Sequence, residues 1–160
     1  MTTREDLIDG FKMIIREGQR ITSGFEPDDW KKQVHDDEGG GWNRKQVYCH
    51  VTAIGEIAPS MAPNLAATPA GSDAGAGIDL SAMNAQLVAA KESLSEAELM
   101  DAFTAAYEKL IEFVKEMPQE QLDAQTKFMA ASGSVADVVD SLIVLHGLAH
   151  IYSAGGSATG

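Results

Sequence analysis

The stretch HGLAH at residues 146–150 places two imidazoles four positions apart, near the end of a segment otherwise rich in valine, leucine and isoleucine. Residues four apart on a helix lie about 40° apart around the axis and about 6 Å apart along it, so both rings project from one face and can converge on one point. That geometry suits a divalent metal. A third histidine, His50, interrupts another apolar run between Val47 and Ile54. A neutral imidazole buried among aliphatic side chains must satisfy one donor and one acceptor nitrogen, and each left unpaired costs about 1–3 kcal/mol. A zinc-like ion taking one nitrogen from each ring at about 2.0–2.1 Å removes that cost, with the other N–H left for a neighbouring acceptor. Three protein ligands also leave a coordination position open, as in catalytic rather than structural zinc sites. His50, His146 and His150 are therefore the predicted metal ligands. The competing reading is that they are hydrogen-bonded core residues. His35, in the charged stretch HDDE, is expected to be solvated.

The elements that must position these rings follow from helical spacing. Leu7, Phe11, Ile14, Gly18 and Ile21 predict a first helix, with Thr2 or Thr3 as N-cap and Glu5 and Asp6 in its first turn. Residues 24–41 hold Pro27, a charge run and three glycines, and read as a connection with one short turn. A second helix starts near Trp42 or Asn43 and carries Val47, His50, Ile54 and Ile57 on one seam, with Pro59 expected to end it. Residues 60–77, rich in Ala, Gly and Pro, read as a long loop. A short helix is expected over 79–91, then a longer one capped by Ser93 or Ser95 and carrying Leu99, Phe103, Ala106, Leu110, Phe113 and Met117. After a turn at ASGS, 131–134, a last helix bears Val135, Val139, Ile143, His146 and His150 as one stripe. No β-alternation is evident. The expected fold is all-α, a four-helix bundle over residues 1–154 with long inter-helix loops, followed by a disordered tail, 155–160.

The remaining composition narrows the chemistry. The chain has 160 residues and a formal net charge of -12, from 24 acidic and 12 basic side chains, which disfavours nucleic acid and anionic lipid as partners. Neither a signal peptide nor a membrane span is apparent, so a cytoplasmic protein is expected. Cys49 is the single cysteine. It allows no internal disulfide and no CxxC motif, and one step of about 100° along the helix turns its sulfur away from the face of His50, so it reads as a small core residue. A zincin protease needs HExxH, and Gly147 occupies the position of the glutamate. Di-iron bundles place carboxylates on facing seams, and the seams above carry none. GxSxG, P-loop and GxGxxG signatures are absent. Trp30, Asn84, Gln86 and Tyr152 are candidates to line a pocket beside the histidines, against ordinary packing or surface roles.

GWNRKQVYCHVTAI at 41–54, a tryptophan opening a helix with a central histidine, together with LHGLAH near the C-terminus, resembles the DinB-like (YfiT-like) superfamily. The stretch 83–118, MNAQLVAAKESLSEAELMDAFTAAYEKLIEFVKEMP, is similar to its branch typified by the N-terminal domain of mycothiol-dependent maleylpyruvate isomerase. The resemblance spans nearly the whole chain. It implies an up-down-down-up bundle with a long link between the second and third helices, and a three-histidine metal site at His50, His146 and His150 holding zinc or nickel. It also implies a low-molecular-weight thiol, mycothiol or bacillithiol, activated for transfer to a small-molecule electrophile or for isomerisation, and a homodimer. The chain ends soon after the last histidine without the isomerase's additional C-terminal domain, so maleylpyruvate is not the expected substrate. Two function classes stand at this point. One is a metal-dependent thiol S-transferase or isomerase, with a hydrolase using metal-bound water as its variant. The other is a non-catalytic bundle whose histidines hold a structural metal or only hydrogen bonds.

Overall fold

The computed structural model describes residues 1–34 and 41–155 of the chain. The expectations for His35 and for residues 156–160 lie outside the described residues. Helix α1, Arg4–Thr22, starts at a capping box in which the Thr3 side chain accepts from the Asp6 N–H and the Asp6 carboxylate accepts from the Thr3 N–H. Its buried face is Leu7, Phe11, Ile14 and Gly18, four of the five predicted seam residues. A single 3₁₀ turn, Asp29–Lys31, then buries Trp30 edge-on against Phe25 and Tyr48. Backbone bonds from Val34 N–H to Trp42 O and from Arg44 N–H to Lys32 O close this connection and fix where Trp42 enters the next helix.

Helix α2, Arg44–Ala66, is capped by Asn43 with Gln46 completing the box. It does not stop at Pro59: both Pro59 and Pro63 lie within it. Each proline removes one backbone bond and costs about 3 kcal/mol in a helix interior. Here Ala62 and Leu65 continue the buried stripe beyond the first proline and offset that loss. The expected loop over 60–77 is therefore shortened, and Met61 becomes a helical residue. Helix α3, Leu80–Ala89, is capped by Asp79 and buries Val88 alone, whereas α4, Glu96–Glu116, capped by Ser95, buries Leu99, Phe103, Ala106, Tyr107, Leu110, Ile111 and Val114. A short α5, Gln119–Asp123, follows Pro118.

Two strands that the sequence pattern does not signal come next, β1 at Gln125–Phe128 and β2 at Ala131–Ser134, paired antiparallel with Phe128 opposite Ala131. The expected ASGS turn is thus a strand, too short to show alternation. Its two-residue link contains Met129 at φ 53, the left-handed region that such tight hairpin turns require. Asp73 Oδ1 accepts from the N–H groups of Met129 and Gly75, and Ala74 N–H donates to Lys127 O, so the α2–α3 connection is fastened to the hairpin.

The last helix, α6, Val135–Ala154, is capped by Ser134 with Asp137 completing the box, and widens into a π-helical turn over Asp140–Leu145. It is long and apolar enough to cross a membrane by composition, but 50% of that window is buried inside the fold, as a core helix requires. Helix α4 packs on α1 and α2, and α6 packs on the same two helices, so one apolar core lies among them. The chain is mostly helical, with the hairpin as its only described sheet. Two glycines let backbones and rings approach closely: a Cβ at Gly18 would lie 2.5 Å from the Phe103 ring, and one at Gly55 would lie 2.9 Å from that of Tyr107.

Candidate metal centre

Helix α2 contributes His50 and α6 contributes His146 and His150, and the structure brings all three together. The ring centroids of His50 lie 5.6 Å from His146 and 4.9 Å from His150, and those of His146 and His150 are 4.4 Å apart. One potential ligand nitrogen from each ring lies within 4.8 Å of the other two. His50 and His150 are buried, while His146 is half-buried. The Nε2 atoms of His146 and His150 stand 2.8 Å apart, so as neutral rings one must donate to the other. Two nitrogens at about 2.0–2.1 Å from a shared ion, subtending about 90–109°, are themselves about 2.8–3.4 Å apart. The observed pair sits at the near end of that range, and imidazole is a common ligand for zinc and nickel. The cluster could hold a metal ion, and its donor set fits one.

His146 and His150 both lie in the α-helical stretch that follows the π turn, and they differ in exposure. A turn closed by i→i+5 bonds takes up one residue more than an α turn, which rotates the remainder of the helix by about 100° relative to an unbroken α register. That rotation carries both histidines together. Val135, Val139, Ile143 and His150 are buried, whereas His146 is turned toward solvent-facing space beside Ser141 and Leu142. Such turns recur at functional sites because they re-aim side chains.

That space is a cleft of about 850 Å³ with His50 and His146 in its lining. Helix α2 gives it Ile54, Ile57 and Met61, and α3 gives Leu80, Ser81, Met83 and Asn84. Trp42, the hairpin residues Phe128 and Met129, and Ser141 and Leu142 of α6 add to the wall. Trp42 also packs on His50, with ring centroids 5.0 Å apart. Behind the histidines lies Tyr107, which lines the small gap among the three rings. Its hydroxyl donates to Val51 O at 2.8 Å, and burial raises its pKa well above the ordinary phenol range, so it remains a proton donor to the backbone of α2.

Of the four residues suggested for a pocket, only Asn84 lines the cleft. Trp30 is buried in the aromatic cluster, Gln86 is exposed, and Tyr152 is 46% exposed with its hydroxyl donating to Glu17 at 3.1 Å. Cys49 is wholly buried and its thiol is pushed up to about 11 by burial, as expected of a core residue. Tyr107 went unrecognised although it is adjacent to the predicted seam residue Ala106. Its aromatic character at an interior position was the available signal. The cleft wall had no local signature, because its residues come from four separate segments.

Residues 11–142 match the family model for the mycothiol maleylpyruvate isomerase N-terminal domain. The match includes His50 and ends before His146 and His150, whose place beside it is a finding of the structure. No curated protein and no solved structure matches the chain. With most of its length matched, the chain belongs to the mycothiol maleylpyruvate isomerase N-terminal domain family, a DinB-like family.

Proposed function

We propose that this chain is a metal-dependent thiol S-transferase or isomerase in which His50, His146 and His150 hold a divalent ion, zinc or nickel. A low-molecular-weight thiol such as mycothiol or bacillithiol is its nucleophile, and a small-molecule electrophile occupies the cleft. The observation that carries this reading is the three-histidine cluster opening, through His50 and His146, onto a cleft of about 850 Å³. A bound divalent ion supplies a lowered thiol pKa and a fixed position for the sulfur. The protein does the rest. Tyr107 ties α4 to the carbonyl of Val51, one residue beyond His50, and holds the α2 ligand in register with α6. Trp42 covers one side of the His50 ring. The apolar wall keeps water away from the reacting sulfur, which strengthens every electrostatic interaction there. The same reading takes residues 1–154 as one DinB-like four-helix bundle of α1, α2, α4 and α6 in up-down-down-up order. The mutual packing of these helices supports it.

The test uses protein purified without an affinity tag. Elemental analysis is expected to find about one zinc or nickel per chain, falling below a tenth in His146→Ala while the helical circular dichroism is retained. Cobalt-substituted protein should change its visible spectrum when mycothiol is added, and conjugation of mycothiol to 1-chloro-2,4-dinitrobenzene should require both metal and His146. A bound metal whose spectrum ignores added thiol would favour the non-catalytic class instead.

A further inference from the structure

The cleft is long in one direction. His50, Ile54, Ile57 and Met61 all line it, at successive steps of four, three and four residues along α2. At about 100° per residue these positions stay within about 60° of one another around the axis, and at about 1.5 Å rise per residue the wall runs about 16 Å from His50 to Met61. It reaches Met61 because α2 continues through Pro59. Helix α3 runs back along α2: Glu92, just beyond its C-terminal end, accepts from Lys45 Nζ at 3.0 Å and from Gln46 Nε2 at 2.6 Å. The first turn of α3, with Leu80 and Met83 in the lining, therefore lies toward the Met61 end. Met61, Met83 and Met129 give the cleft soft, adaptable contacts. A molecule of a few atoms at the histidines would leave this apolar length against water, and covering it is favourable in proportion to the area removed from water.

We infer that the molecule bound beside His50 and His146 is elongated, a polar head at the histidines joined to an apolar tail that lies along α2 as far as Met61. This rests on the proposed function in placing a divalent ion at the head and in taking the molecule for the thiol's electrophile; the tail rests on the wall alone. The ion end accepts a carbonyl or a carboxylate alike, so selection falls on the length and apolar character of the tail.

The experiment titrates the zinc-loaded full chain with acetohydroxamate and decanohydroxamate, which share one metal-binding head and differ only in tail. The longer probe is expected to bind about thirtyfold more tightly. In Met61→Gln that ratio should fall about fivefold, because a polar group then meets the tail. Met83→Gln in α3 takes its place if circular dichroism shows Met61→Gln to be unfolded. A second comparison needs no ion. In the chelator-treated chain, 1-decanol should displace N-phenyl-1-naphthylamine at about thirtyfold lower concentration than 1-butanol, with the same narrowing in the variant. Equal affinity of the two hydroxamates for the zinc-bound chain would overturn the inference, as would a length preference unchanged in a folded variant. Hydroxamate affinities indifferent to zinc, with the alcohols still graded by length and by the variant, would sink the proposed metal site while supporting the tail.

Discussion

Helices α3 and α4 follow one another in the chain, yet one is built by the core and the other stands at its edge. Helix α4 buries seven residues and lies against both α1 and α2, while α3 buries only Val88 and packs on α2. The difference separates two tasks. The α4 side makes the rigid back of the histidine cluster, with Phe11, Phe103, Tyr48 and Tyr107 in ring contact. The α3 side, with the hairpin, makes the front wall of the cleft. Few buried apolar contacts place α3 at the low-stability end of the molecule, from which ligand-admitting elements are drawn.

The largest effect should come from the back. Phe103→Ala removes a fully buried ring that packs on Gly18, Tyr48 and Tyr107, and is expected to lower stability by about 3–5 kcal/mol in urea unfolding. Leu80→Ala in α3, where the side chain is 38% exposed, should stay within about 0.5 kcal/mol. Comparable losses at the two positions would erase the distinction. Gly55→Ala comes next: the added methyl would sit 2.9 Å from the Tyr107 ring, and overpacking there should cost about 1–3 kcal/mol. A neutral outcome would mean that the α2–α4 contact behind the histidines is looser than its geometry.

The smallest effect belongs to the front wall and depends on pH. The N–H groups of Met129 and Gly75 hold the Asp73 carboxyl below the usual carboxylate range. A carboxyl whose folded pKa is depressed contributes stability above its unfolded pKa, and that contribution fades as pH falls through the folded value. Asp73→Ala should therefore speed hydrogen exchange at Met129 and Gly75 at pH 6, leave α4 protected, and differ less from the unaltered chain as pH drops below about 4. Loss of protection in α4 as well would show that front and back unfold as one unit.

The same contrast governs what could be read from the sequence. The α4 seam was legible because an amphipathic helix repeats its apolar positions locally, and the buried Leu99, Phe103, Ala106 and Leu110 follow that repeat. Caps were legible for the same reason, as at Thr3 and Ser95, since each bonds within three residues of itself. The hairpin was not, because its four-residue strands are shorter than any pattern and its turn leans on Asp73 from a distant loop. Pro59 misled because local propensity favours a break there, while the buried Ala58, Ala62 and Leu65 hold the helix through it.

The sequence by itself determined that this chain is helical, that His50 lies on an interior face, and that His146 and His150 share one turn of helix. Periodicity and capping are properties of neighbours along the chain. Only the tertiary structure decided that the three rings meet, that a π turn precedes His146 and His150, and that a cleft opens beside them. These depend on contacts between segments remote in sequence, where packing rather than propensity selects the outcome.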